Sequence, residues 1–139
     1  MTQAQPVVDA NVFVAMLSDE SDAERWTASL EGLRLRAPRI ARLECAIALS
    51  RKVRRGAMSS AQALAAMTTI DELDVDWVEL DDPAIDHALM LSLAVGHEVM
   101  DCMYLALALA TKAPLATADA KLASIAARQG VEVLAPSAA

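Results

Sequence analysis

The sequence has few aromatic residues, few cysteines and no long apolar run. Its four aromatic side chains, Phe13, Trp26, Trp77 and Tyr104, are scattered over 139 residues. That is too few for a platform on which the bases of a single strand stack in succession. The two cysteines, Cys45 and Cys102, lie far apart, and the opening MTQAQP is not a basic stretch leading into an apolar one. With no secretory signal visible, they read as reduced thiols of a cytoplasmic protein rather than a disulfide framework. The longest apolar run, CMYLALALA, has nine residues, 102–110. A membrane span needs roughly 20, so this run reads as a buried helix and no membrane partner is expected. Repeats, low-complexity blocks and linkers are also missing. The length suits one domain, expected over residues 1–135, with 136–139 as a short disordered tail.

Positive charge is scarce overall but concentrated. Net charge is −7, yet eight of the twelve Lys and Arg residues fall between 34 and 55. They are Arg34, Arg36, Arg39, Arg42, Arg51, Lys52, Arg54 and Arg55; with Glu44 as its one acid, the window carries +7 and the remainder −14. Two readings stand. The window is a solvated helix with cations favourably placed at its C-terminal end, or it steers a polyanion whatever the net charge.

Short β-rich runs alternate with helical patterns. Strands are expected at PVVD (6–9), DVDWVEL (74–80), within APLATAD (113–119) and at VEVL (131–134); RLRAP (34–38) is a strand or a loop. Helices are expected from near Asn11, and over 21–32, 39–55, 59–73, 82–95, 99–112 and 120–129. Gly32, Gly56, Gly96 and Gly130 stand at or just past four of the ends. Ser59 is placed to cap one helix, and Asp82 to cap another with Pro83 at its first position. Such alternation implies an α/β fold, with a parallel sheet of four to five strands covered by helices on both faces. Ligands of such sheets bind beyond the carboxyl ends of the strands.

Four acids fit poorly into that core. Asp9 closes the first strand inside the apolar run VVDANVFV. Glu44 lies on RIARLECAIAL, on the side of Ile40, Ile47 and Ala48, which should be buried. Asp101 is in the first turn of MDCMYLALALA, and Asp119 ends LATAD where the next helix opens. Singly, Asp9, Asp101 and Asp119 could be helix caps or first-turn acids, and Glu44 could reach solvent or pair with an Arg. Together, four acids near element ends point to a metal site. Gathered carboxylates repel and their pKa values rise, a penalty that a divalent cation removes. An oxygen-rich set with no histidine pair suits Mg²⁺ or Mn²⁺ better than zinc. Cys45 and Cys102 each follow one of these acids and are expected to face the core. His97 reads as a turn residue that could sit near Asp101, and His87 has no evident partner. Arg51 lies two turns past Glu44 on the same helix face, where it could hold a phosphate or pair with an acid.

In VVDANVFV with Asp9, RLECAIAL with Glu44, MDCMYLALA with Asp101 and LATADAKLA with Asp119, the chain resembles the PIN-domain ribonucleases, specifically the VapC-type toxins of toxin–antitoxin pairs. The resemblance runs over about residues 6 to 134. It implies a single-domain, Rossmann-like α/β/α sandwich with Mg²⁺, or Mn²⁺ in its place, as one or two ions in an acidic pocket. It implies endonucleolytic RNA cleavage by metal-assisted in-line attack of water, with no covalent nucleophile on the protein. Asp9, Glu44 and Asp101 would hold the first ion, and Asp119 would complete the cluster or hold a second. Asn11 and Thr117 match polar positions flanking the acids. The chain departs from the family at Met100-Asp101-Cys102, where Tyr-Asp-Ala is frequent, and Cys102 and Met103 are bulkier than the common alanines. A homodimer and a small antitoxin partner are also implied, and Phe13, Leu17 and Trp26 offer a candidate partner face. RNA choice would rest on shape and backbone contacts rather than stacking.

Other classes fare worse. A phosphoacceptor receiver domain needs a second acid beside the first-strand Asp and a lysine after its last strands, but Asp9 is followed by Ala10 and Asn11 and no lysine follows Lys121. A haloacid-dehalogenase-like phosphatase needs Asp-x-Asp where this chain has Asp-x-Asn. The remaining alternative is a catalytically silent module that docks a partner's arginines in its acidic pocket.

Overall fold

The structure is a computed structural model that describes residues 5–18 and 21–136. Of the expected tail, residues 137–139 lie outside the described residues. The chain runs β1 (Val7–Val8), α1 (Ala10–Met16), α2 (Ala23–Leu30), β2 (Leu35–Pro38), α3 (Ile40–Arg54) and α4 (Ser60–Glu72). It continues through β3 (Val75–Val78), α5 (Asp82–Val95), α6 (Val99–Thr111), β4 (Leu115–Ala116), α7 (Ala120–Arg128) and β5 (Val133–Leu134). The segment open between strand and loop, 34–38, is a strand.

The five strands form one parallel sheet in the order β3-β2-β1-β4-β5. With its helices it makes the expected α/β sandwich. Burial explains the sequence pattern. Val7, Val8, Leu115 and Ala116 are fully buried in the central strands, as a parallel sheet covered on both faces requires. β3 alternates polar and apolar residues because it is an edge strand, where every position is half-buried. α6 lies across β2, β1 and β4 and packs on α5, with Cys102, Tyr104, Leu105 and Ala108 almost wholly buried. No helix is long and apolar enough to cross a membrane among the described residues.

Three expectations need correction. The buried face of α3 is Ala41, Cys45 and Leu49, one position round from the face read in the sequence. Small side chains let α3 close on α1, with Cys45 Sγ 3.8 Å from the Ala10 carbonyl oxygen, and Ile47 is left 41% exposed. Second, Phe13 and Trp26 are no partner face. Both are buried, Phe13 against Trp77 with ring centroids 5.7 Å apart, and Leu17 is packed partly on the same core. Third, the cap of α5 is Asp81, whose side chain accepts from the Ala84 amide at 2.9 Å. Asp82 and Pro83 are the first two residues of the helix.

The basic window is also divided. Arg34, Arg36, Arg39 and Arg42 pair with Asp74, Asp76, Glu79 and Asp71 at 2.5 to 3.8 Å. Arg36 and Asp76 are register partners on adjacent strands, so the parallel pairing of β2 with β3 itself brings these charges together. The last turn of α3 and its C-cap carry Arg51, Lys52, Arg54 and Arg55, the basic end of that helix.

The cap assignment is open to test by urea unfolding. Asp81→Ala is expected to lose about 1 kcal/mol, whereas Asp82→Ala, which removes only a first-turn charge, is expected to lose about 0.5 kcal/mol or less. The reverse ranking would return the cap to Asp82.

Candidate functional site

The strand order 3-2-1-4-5 reverses direction between β1 and β4, so a crevice opens where these two strands end. Asp9 immediately follows β1, and Thr117 to Asp119 follow β4. α3 and α6 supply Glu44 and Asp101 to the same place. A cavity of about 520 Å³ lies elsewhere. It is lined by Pro6, Leu33, Lys112, Pro114 and Glu132, residues that precede the strands or lie at their opposite ends.

Asp9 occupies the N-cap position of α1, but its side chain makes no cap hydrogen bond. Its backbone amide still belongs to the sheet, donating to the Ala116 carbonyl at 2.9 Å. The carboxylate, 4% exposed, instead accepts at Oδ2 from Thr117 Oγ1 (2.8 Å) and Asn11 Nδ2 (3.0 Å). Both donors are tied to the loop after β4. The Ala118 amide donates to Asn11 Oδ1, and the Asp119 amide to Thr117 Oγ1. Asp9 is thus aimed by two polar side chains that also fix the turn carrying Asp119.

Each remaining acid is held differently. Half-buried Glu44 accepts from the Tyr104 hydroxyl at 2.5 Å. That bond explains an otherwise costly phenol inside an apolar helix, since a buried Tyr hydroxyl needs a partner. Asp119 is a true cap of α7, its Oδ1 accepting from the Lys121 and Leu122 amides. The cap reading is therefore correct for Asp119, and its Oδ2 still faces the crevice, 3.6 Å from His97 Nε2. Asp101 Oδ2 lies 2.9 Å from that same nitrogen. His97 is accordingly more than the turn residue it resembled in the sequence. Arg51 is not brought to the acids; it is exposed in the last turn of α3 and forms no ion pair among the described residues.

The acids act on one another. Burial, together with the charges of Asp101 and Glu44, pushes Asp9 up to about 6, against the hydrogen bonds from Thr117 and Asn11. Burial chiefly, and then Asp101, raises Glu44 against the Tyr104 bond. Asp101 is raised by burial, with His97 opposing and Asp119 adding to the rise. Burial and the same acids hold Tyr104 well above the usual phenol range and push Cys45 up to about 12, so both stay protonated. Among the described residues no lysine or arginine pairs with Asp9, Glu44 or Asp101. Mutually repelling carboxylates beside one imidazole, with no such lysine or arginine partner, fit a divalent cation.

The shift at Asp9 has a measurable consequence for metal-free protein. Its folded pKa of about 6 exceeds the ordinary 3.8, so between roughly pH 4 and 6 the folded chain keeps a proton that the unfolded chain has lost. Stability in EDTA should therefore fall as pH rises through that window, by on the order of 2–3 kcal/mol. Asp9→Asn retains an acceptor for Thr117 and Asn11 without the charge, and is expected to raise the urea midpoint at pH 8 and flatten the profile. A wild-type profile that rises from pH 5 to 8 would contradict this.

Comparison with known proteins now has a geometry to meet. The PIN domain pattern matches residues 7–128, a span containing all four acids. No curated protein matches the sequence. Several solved structures share the fold. The Pyrobaculum aerophilum protein PAE2754 has a TM-score of 0.72 at 20% identity, covering 94% of this chain and 83% of its own. A toxin–antitoxin complex from Klebsiella pneumoniae gives 0.68 at 15% identity, covering 95% and 98%. FitAcB from Neisseria gonorrhoeae gives 0.69 at 17% identity, again covering 95% and 98%. With the match spanning most of the chain and the acids gathered where the central strands end, this protein belongs to the PIN domain family.

Proposed function

We propose that the protein is a metal-dependent endoribonuclease, the toxin of a toxin–antitoxin pair. The observation that carries this reading is the convergence of Asp9, Glu44, Asp101 and Asp119 at the β1/β4 crevice, with no lysine or arginine pairing with Asp9, Glu44 or Asp101 among the described residues, in a PIN domain. Asp9, Glu44 and Asp101 are the residues that would hold Mg²⁺, or Mn²⁺ in its place. Asp119 would complete the set or hold a second ion. Such a cation supplies Lewis acidity, making water a better nucleophile at neutral pH and offsetting charge on the phosphodiester.

The chain's own groups prepare that chemistry. Thr117 and Asn11 fix the orientation of Asp9, Tyr104 fixes Glu44, and the α7 amides hold Asp119. None of the aromatic rings is exposed: Phe13, Trp26 and Tyr104 are buried and Trp77 is half-buried against Phe13. Substrate contact therefore falls to the backbone, with Arg51 and its neighbours at the end of α3 as candidate phosphate contacts. The two thiols are buried and unpaired, in keeping with a cytoplasmic protein.

Partners are read from the neighbours and the surface. The Klebsiella pneumoniae structure is a toxin–antitoxin complex, which supports an antitoxin here. Exposed apolar side chains support an antitoxin and a second copy of the chain, with Leu43 and Ile47 on α3, Leu64 on α4, and Ile85, Leu89, Met90 and Leu93 on α5.

The test is cleavage of total cellular RNA by partner-free protein with Mg²⁺, with Mn²⁺ and with EDTA. Discrete cuts that need the cation are expected. Asp9→Asn and Asp101→Asn should each lower the rate by more than about 100-fold, since even residues that merely orient metal ligands cost 10–100-fold. Folded wild-type protein that cuts no RNA under any of these conditions would favour a catalytically silent binding module. Wild-type activity in Asp9→Asn would remove that residue from the site.

A further inference from the structure

His97 is placed with more care than a turn residue needs. Gly96 ends α5 in the left-handed conformation, φ 71°, which turns the chain toward α6 within three residues. Ser92 Oγ then donates to the His97 carbonyl at 2.5 Å, pinning the backbone against the helix just left. The imidazole is 9% exposed. Its Nε2 faces Asp101 Oδ2 at 2.9 Å and Asp119 Oδ2 at 3.6 Å, yet it makes no aligned hydrogen bond with either. A nitrogen buried beside two carboxylate oxygens but aligned with neither keeps its lone-pair capacity for another partner.

One ligand atom from each of His97, Asp101 and Asp119 can be chosen so that all lie within 4.8 Å of one another. Two carboxylates carry two negative charges once ionised, matching one divalent ion, and an imidazole ligates a metal through an unprotonated nitrogen. Asp119 can serve without losing its cap, since Oδ1 bonds the α7 amides and Oδ2 does not. The nitrogen sets the selectivity. Mg²⁺ takes oxygen ligands and keeps its waters, whereas imidazole suits the first-row transition ions.

We propose that His97, Asp101 and Asp119 form a mixed nitrogen–oxygen metal subsite that takes Mn²⁺, or a later first-row ion, in preference to Mg²⁺. This rests on the reading that the acidic pocket binds divalent cations. It adds a ligand that the four acids alone did not suggest, and a preference among ions.

Mn²⁺ titration of the purified full chain, followed by electron paramagnetic resonance, tests the subsite without any activity assay. Wild-type protein should bind Mn²⁺ and show the ¹⁴N modulation of a directly bound imidazole. His87→Gln should keep that modulation and His97→Gln should lose it, with His97→Ala as a second variant and circular dichroism to confirm folding. Mn²⁺ affinity should drop by at least about 10-fold in His97→Gln, since even groups that only orient ligands cost that much, while Mg²⁺ affinity measured by competition should change by less than about 3-fold, as expected if Mg²⁺ does not use the nitrogen. Bound Mn²⁺ without nitrogen modulation, or unchanged Mn²⁺ affinity in both His97 variants, would overturn the subsite and leave the nuclease reading standing. Folded wild-type protein that binds no Mn²⁺ would sink the subsite and the metal-dependent mechanism together.

Discussion

A buried carboxylate among like charges is the constraint on which this structure turns. Asp9 follows the central strand with almost no exposure, and the charges of Asp101 and Glu44 act on it. Burial and repulsion both oppose its ionisation, and only Thr117 and Asn11 support it. The scaffold keeps it because three elements meet around it. Val7 and Val8 lock β1 into the sheet, the Asp9 amide is bonded to β4, and α6 lies across both strands. A rigid, apolar frame is what allows a pocket to hold charges that would otherwise separate or take up protons.

That division explains what the sequence showed. Apolar periodicity reports burial, so the strands and helices were visible in it, as was their alternation into a parallel sheet. The ends of the helices could be read where glycine or serine marks them, as at Ser59, whose side chain and Gln62 form a reciprocal cap of α4. Positions depending on how closely two elements approach could not be read so well. Ala41, Cys45 and Leu49 are an unremarkable set until α3 meets α1, and Phe13 and Trp26 become core only once Trp77 covers one of them. The adjacent carboxylates Asp81 and Asp82 differ in role by backbone conformation, which composition does not encode.

The acids were legible for a related reason. Asp9, Glu44, Asp101 and Asp119 stand out because each interrupts an apolar pattern or closes an element, and the physical cost of doing so marks them. His97 and Tyr104 carry no such mark. Tyr104 passes as one more large side chain in an apolar helix, and the bond to Glu44 spans 60 positions in sequence. His97 follows a helix-ending glycine, where polar residues are ordinary. The one sequence-level hint was its closeness to Asp101, four residues on, across the turn that leads into α6. The basic window misled in the opposite sense, because four of its eight cations are spent on acids of β3, its flanks and α4.

The same arrangement separates the roles of the polar groups that surround the acids. Thr117 and Asn11 bind Asp9 and simultaneously hold the backbone of the loop that carries Asp119, so the two ends of the pocket are one hydrogen-bonded unit rather than two independent sites. Glu44 stands outside that unit, joined instead to α6 through Tyr104. Asp101 belongs to α6 as well, one turn before that tyrosine. A small shift of α6 over the sheet would therefore carry Glu44's anchor and Asp101 together, while leaving Asp9 and Asp119 fixed to β1 and β4. The spacing between these two pairs of carboxylates depends on how α6 packs over the sheet. Cys102, fully buried with its Sγ 4.0 Å from the His97 carbonyl oxygen, and Met103, packed partly against the core, are among the side chains that set that packing.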